Sequence, residues 1–282
     1  MAGEQTTSLN SELFTNLLGD AQFAAYENSV ARQIVTALNY PGNAGKVLQI
    51  PVYASVSADD LTEGTAATAA NTNTTSVSLT LAEIGTYFQV TDMLRDSAQR
   101  DVIADLGAQA GRAIAEKMDS TVFSLFDSFS TEISSNVNAE VTVDSILQGV
   151  ATLRAAKLTG PFYAVVHPGV AYNLKKELAT NGGNNIPGLT NVGETVLSDF
   201  FIGRIAGCTI FESALVPTSG DNATNAVFHP GALAHAMRGG LNLETQRQAK
   251  NRATDIMLTA VQGAAIMQNG FGVKITGNKV IG

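Results

Sequence analysis

The stretch TDMLRDSAQRDVIADLGAQAGRAIAEKMDSTVFSLFDSF, Thr91 to Phe129, contains no proline and decides how the rest is read. Leu106, Ala110, Ile114, Met118, Val122 and Phe126 recur every fourth residue, and Leu94, Val102 and Ile103 extend the same broad side. Arg95, Arg100, Asp101, Asp105, Gln109, Arg112, Glu116 and Asp119 occupy much of the remainder. This is close to the 3.6-residue period of a helix buried along one stripe, with its charged residues on a solvated side. Thr91 or Asp92 can cap its start, because a short side-chain oxygen there satisfies a free amide of the first turn. A continuous helix over 92–128 would be about 55 Å long at ~1.5 Å per residue. The average globular helix is about a third of that, so this one spans a whole domain. Gly107 and Gly111 either bend it or admit a close neighbour.

Charged residues make up only 15% of the chain, against about 25% in ordinary globular proteins. Apolar residues stand at 45%, so Thr, Ser, Asn, Gln and Gly have replaced charge. A surface poor in charge is expected where other subunits cover it, since interface centres exclude Lys, Asp and Glu. A weakly charged monomer with polar loops is the alternative. The net charge of −8 excludes the chain as a whole as a phosphate-gripping surface. One cysteine cannot form an internal disulfide and fits folding in the cytoplasm. Cys208 lies in the apolar run IAGCTIF and reads as a small buried residue rather than a nucleophile. The opening MAGEQTTSLNSEL lacks the basic region and apolar core of a signal peptide. No apolar run approaches the ~20 residues that span a bilayer, so a soluble intracellular product is expected.

Taken in order, residues 1–10 are polar, and Leu13, Leu17, Phe23, Tyr26, Val30, Ile34 and Leu38 form a broken helical pattern ending at Asn39-Tyr40-Pro41. KVLQIPVYASVS, Lys46 to Ser57, alternates, with Leu48, Ile50, Val52, Ala54 and Val56 on one face. Pro51 confines it to an edge or an isolated ribbon. Val77, Leu79 and Leu81 alternate again, then Ile84, Thr86, Phe88 and Val90 continue with opposite parity, which suggests a bulge. Between them lies ADDLTEGTAATAANTNTT, a connection whose length is uncommon inside a compact domain. The picture is a two-stranded ribbon with a soft tip leading into the long helix. An isolated ribbon is only marginally stable, so it is expected to lie on something outside its own domain. Beyond the helix, 136–143 reads as extended, Asp144 as the cap of a helix closed by Gly160-Pro161, FYAVVH (Phe162 to His167) as a buried strand, and Pro168 as a helix start. NGGNNIPGLTNVG follows as a loop. Strands are expected at 202–205, 208–212 and 226–229 and, after Gly239-Gly240, at 241–246, 255–261 and 273–276. The class is α+β, without a regular βαβ rhythm.

Motifs of catalysis are scarce. His167, His229 and His235 have no metal-ligand spacing. His167-Pro168-Gly169 and His229-Pro230-Gly231 read as a repeated strand-ending turn. No nucleophile elbow, P-loop or dinucleotide glycine motif is present. Gln246 to Arg252, QRQAKNR, is the clearest basic cluster; it suits a solvated turn or a salt-bridge partner across an interface better than a phosphate site. No catalytic, cofactor-binding or metal residue is assigned, and no enzyme activity is expected.

The order of parts resembles the major capsid proteins of tailed bacteriophages, with the Hong Kong 97-like fold. The family-like phrases are GTYFQVTDMLRDSAQRDVIADLGAQAGRAIAEKMDSTVF and ATDIMLTAVQGAAIMQNGFGVKIT. The resemblance implies an N-terminal arm over 1–43, an extended β-ribbon loop over 44–90 that overlaps a neighbour, a peripheral domain with a spine helix over 91–140, an axial domain over 141–238, and returning strands of both domains over 239–282. It further implies assembly through pentamers and hexamers into an icosahedral head that holds double-stranded DNA in non-specific contact. Implied partners are a scaffolding protein, a portal at one vertex and a decoration protein, with no membrane; assembly would take place in the host cytoplasm. Some members weld neighbours through a lysine on the extended loop. Here Ala58 to Thr75 contain no lysine and Lys46 sits at the ribbon's base, so the shell is expected to be held non-covalently. No long N-terminal helical extension serves as a built-in scaffold, and Met1 favours a separate scaffolding protein over a processed chain. An encapsulin-like shell, a soluble enzyme with a site across 162–238, and a sheet-edge binding module using the 46–90 ribbon are the competing readings.

Overall fold

The computed structural model describes residues 17–40 apart from 20, 24 and 26–28; residues 45–53, 58, 60, 63, 64 and 66; and residues 74–97, 102–133, 139–181 and 204–281. In chain order the strands are β1 (Thr36–Tyr40), β2 (Val47–Tyr53), β3 (Thr74–Thr80), β4 (Ala82–Thr91), β5 (Thr131–Ile133), β6 (Phe162–Val166), β7 (Arg204–Ile205), β8 (Cys208–Glu212), β9 (Thr218–Ser219), β10 (Asn222–Phe228), β11 (Leu233–Gln248), β12 (Ala253–Ile266) and β13 (Gly272–Asn278). The helices are a single turn α1 (Ala31–Ile34), α2 (Asp92–Ser97), α3 (Val102–Phe123), α4 (Val143–Ala155) and α5 (Pro168–Asn181).

Three sheets result. The first has the order β1-β11-β12-β4, the second β5-β13-β10-β6-β8-β7 with β9 attached to β10, and the third is the two-stranded ribbon β2-β3. The strands after Gly239 therefore divide, β12 running in the first sheet and β13 in the second. Gly239-Gly240 does not separate two strands. β11 begins at Leu233 and continues through them, and the glycines sit where its register against β12 shifts between Arg238 and Asn242. Gly239 takes a left-handed φ of 69°, which a residue without a Cβ adopts freely.

The helix stripe is seen as expected over its described part: Ala110, Ile114, Met118, Val122 and Phe126 are all buried. The helical residues are 92–97 and 102–123, followed by a tighter 3₁₀ turn at Ser124–Ser128; residues 98–101 lie outside the described residues. The Thr91 hydroxyl accepts from the Leu94 amide at 3.3 Å, so Thr91 is the cap. α3 serves two cores. Ala110, Ile114 and Met118 pack with Leu258 and Ala260 of the first sheet, whereas Val122, Phe123, Phe126 and Phe129 enter the core of the second. Phe126 stands 5.7 Å from Phe228 and 5.3 Å from Phe123 between ring centres. Gly107 and Gly111 admit a close neighbour: a Cβ at Gly111 would overlap the Ala21 carbonyl, and one at Gly107 would meet Leu17.

Two further readings are corrected. The parity change near Leu81 is a change of sheet rather than a bulge. β3 ends in the ribbon at Thr80, Leu81 donates its amide to the Lys46 carbonyl at 2.8 Å, and β4 begins at Ala82 in the first sheet. At α4 the cap is Thr142, whose hydroxyl accepts from the Ser145 amide, while Asp144 stands in the first turn and accepts from Gln148. Of the stretch 136–143 read as extended, 136–138 lie outside the described residues, Glu140 makes a single parallel bridge to Asn278, and Val143 already begins α4; the loop after Asn181 lies outside the described residues.

Candidate assembly surfaces

Among the described residues, the ribbon joins the body at its Leu79–Leu81 end. Leu79 and Leu81 are buried with Ile50 against Ala234 and Ala236, with Val261 and Ala265 beside them. Alternation along β2 and β3 directs Leu48, Ile50 and Val52, with Val77 and Leu79, to one face. Away from that anchor Tyr53 is 68% exposed. Pro51 pairs with Ser76 in the free-standing ribbon, where each strand has an open edge. Most of the connection between β2 and β3 lies outside the described residues.

The arm is held by α3. Asp119 was expected on the solvated side; instead it is buried, and this is the clearest correction to the helix pattern. Its carboxylate accepts from the Ser29 hydroxyl at 2.7 Å and from the Val30 and Ala31 amides at 2.9 and 3.2 Å. Those amides open the turn α1, so a helix-borne acid satisfies free donors of another segment. Burial pushes the Asp119 carboxyl above the usual range, and the three donated bonds act against that shift. After this contact β1 runs parallel to β11, from Thr36 beside Ala234 to Tyr40 beside Arg238. Next to it His235 is buried with its Nε2 2.8 Å from the Gln262 Oε1, and Gln262 donates to Thr121 at 3.1 Å. Burial lowers the His235 pKa.

The histidines are not brought together. His167 and His229 end β6 and β10, and in each case Nδ1 accepts from the amide two residues on, at Gly169 or Gly231, at 3.1 Å. The echo is a repeated turn in which imidazole caps the following helical segment. Cys208 is buried, and burial pushes its thiol up to about 12, far from thiolate chemistry at neutral pH. Among the described residues no group of three His, Cys, Asp or Glu could hold a metal ion, and no helix is long and apolar enough to cross a membrane. In the basic cluster, Arg247 donates two bonds to the Asp92 carboxylate at 2.7 and 2.6 Å. Its partner is thus within the chain. The tip beyond it is a turn, Ala249–Asn251, closed by Arg252 in a left-handed conformation.

The first sheet shows its two faces very differently. One lies against α3. The other is covered by the ribbon at one end, where Gly263 sits directly beneath Leu79 and Thr80. At the opposite end, among the described residues, it is uncovered: Tyr87 is 59% exposed, and a cavity of about 350 Å³ opens between Tyr87, Glu244, Gln246, Asp255 and Met257. Alternation in the sequence picks out only Ile84, Thr86, Phe88 and Val90 on this strand; the hollow beside Tyr87 needs three strands in register, which no single stretch displays.

Residues 74–275 match the family model described as phage capsid protein. The chain belongs to the phage capsid protein family. None of the curated proteins compared matches it. Among solved structures it is similar to one from Mycobacterium phage Che8, at 21% identity with a TM-score of 0.66, covering 82% of this chain and 85% of that one. The capsid of the cyanophage P-SCSP1u gives 16% identity and a TM-score of 0.68, covering 86% and 85%. The capsid of a native GTA particle gives 12% identity and 0.67, covering 92% and 90%. The fold is the Hong Kong 97-like capsid fold, and the protein is a phage capsid protein, a structural component of the virion.

Proposed function

We propose that the chain assembles through pentamers and hexamers into the icosahedral head of a tailed phage, enclosing double-stranded DNA without gripping it. The arm (1–43), ribbon (44–90), peripheral portion (91–140), axial portion (141–238) and returning strands (239–282) are its working parts. It carries no catalysis, is assembled in the host cytoplasm, and takes a scaffolding protein, a portal and a decoration protein as partners. The observation that carries this reading is the ribbon: seven residue pairs from Val47–Thr80 to Tyr53–Thr74, anchored at one end and carrying the exposed Tyr53 at the other, in a protein whose family builds shells. A ribbon of this kind is marginal alone, and a neighbouring copy supplies the support. Its low lysine content argues for non-covalent joints, so boiling shells in detergent should release only monomer; a ladder of multimers would contradict this.

The test is electron microscopy of the purified protein beside a variant lacking residues 58–75. Closed shells or capsomer rings that the deletion abolishes support the reading. Uniform monomers in both samples overturn it.

A further inference from the structure

Two patches at one end of the first sheet are complementary. The first is a knob. The Asp92 amide donates to the Arg252 carbonyl at 2.9 Å, and the Asp92 carboxylate holds Arg247, so the hairpin tip and the start of α2 form one braced unit. Met93 projects from it, 82% exposed. Lys250 and Arg252 stand beside it, both exposed, with no ion-pair partner among the described residues. The second patch is the hollow, where Tyr87 and Met257 form an apolar floor and Glu244 and Asp255 the rim. Gln89 donates to Asp255 at 2.7 Å, which together with the Tyr87 hydroxyl holds that carboxyl below its ordinary value and hence ionised.

We propose that the knob of Met93, Lys250 and Arg252 on one copy seats in the hollow of Tyr87, Met257, Glu244 and Asp255 on a second copy. This rests on the reading of the chain as a shell subunit and names the surfaces by which two subunits meet. The occupant follows from complementarity: an apolar prong flanked by two free cations faces an apolar floor flanked by two carboxylates, in a chain otherwise acidic at −8. A methionine over a tyrosine ring adds a favourable sulfur–aromatic contact. The brace matters because a rigid tip loses little conformational freedom on docking. Within one copy the knob does not reach the far side of the hollow, since the four strand steps from Glu244 to Gln248 alone cover about 13 Å. A contact between unlike patches is head-to-tail, so it either closes a ring or propagates.

The experiment pairs Glu244→Cys on one tagged copy with Lys250→Cys on another, co-assembled and oxidised. Each copy carries one introduced thiol and its own Cys208 is buried, so a disulfide, which needs Cα atoms within about 7 Å, reports contact between copies. The expected result is a covalent dimer carrying both tags, absent from either single variant and from a control pair with Asp144→Cys in place of Glu244→Cys. As a second readout, Lys250→Glu with Arg252→Glu should raise the concentration needed for assembly by about threefold or more, and adding Glu244→Lys should restore part of it. Shells that form without the cross-link and are indifferent to charge reversal overturn this contact alone. Failure of the unaltered chain to assemble overturns the shell reading and the contact with it.

Discussion

The seven-stranded sheet and the four-stranded sheet place their apolar residues differently. Around the former, one continuous cluster runs from Phe123, Phe126 and Phe129 through Ile146, Leu153, Val165 and Leu174 to Phe228. Around the latter and the ribbon the buried residues fall into three smaller clusters, while Tyr53, Tyr87, Met93 and Met257 stay exposed. The first region is built on one core, with Leu147, Tyr172, Val280 and Ile281 exposed at its margins; the second divides its core and gathers exposed side chains on one face. Exposed apolar side chains scattered singly need no explanation, but four of them on one sheet, its ribbon and the adjoining helix start mark an interaction surface.

The largest effect that would break this contrast is at Phe126, in the turn after α3 where the chain enters the second core. Phe126→Ala should destabilise the subunit by about 3–5 kcal/mol, read as a shift in urea midpoint; a change under about 1 kcal/mol would mean the two regions are not joined there. Next is Asp119→Ala, which leaves a buried hydroxyl and two amides without an acceptor. Each uncompensated donor costs about 1–3 kcal/mol, so a loss of about 3 kcal/mol, the low end for three donors, is expected, with early proteolysis in the arm. Asp119→Asn, which keeps one acceptor oxygen, should lose less.

The helix stripe was legible because Leu106 to Phe126 repeat at the helical period, and the ribbon because Leu48, Ile50 and Val52 alternate. Asp119 was not legible. Its partners lie 88 to 90 residues away in sequence, and a lone acid on a helix otherwise looks solvated. The start of β11 was hidden for a different reason: Gly239-Gly240 carries the composition of a turn but acts as a register shift inside a strand. Leu81 showed a parity change that a bulge and a change of sheet produce alike. The basic cluster could not reveal that Asp92, 155 residues away, takes up Arg247.

The pH dependence follows from the histidines. Burial lowers His235, and less buried His167 and His229 shift the same way. The unfolded chain then binds more protons than the folded one as pH falls below the ordinary value of 6.5, so stability present above that value is lost below it. Asp119, shifted upward, acts in the opposite sense and at lower pH, above its ordinary 3.8. The urea midpoint should fall between pH 7.5 and 5.5, and His235→Gln should flatten that slope relative to its own value at pH 7.5. An unchanged slope would remove His235 as the cause.

The smallest effect on the subunit sharpens the contrast most. Tyr87→Ser with Met257→Ser should alter stability by no more than about 0.5 kcal/mol, yet weaken assembly. A large loss of stability would mean that this face belongs to the subunit's own core.

The most direct single test is backbone hydrogen exchange on unassembled and assembled protein. Assembly should slow exchange in Val47–Tyr53, Ala82–Thr91 and the tip at Ala249–Asn251, and leave Phe162–Val166 and Asn222–Phe228, already buried, unchanged. Protection gained in the seven-stranded sheet, with none in the ribbon or on the four-stranded sheet, would contradict the account.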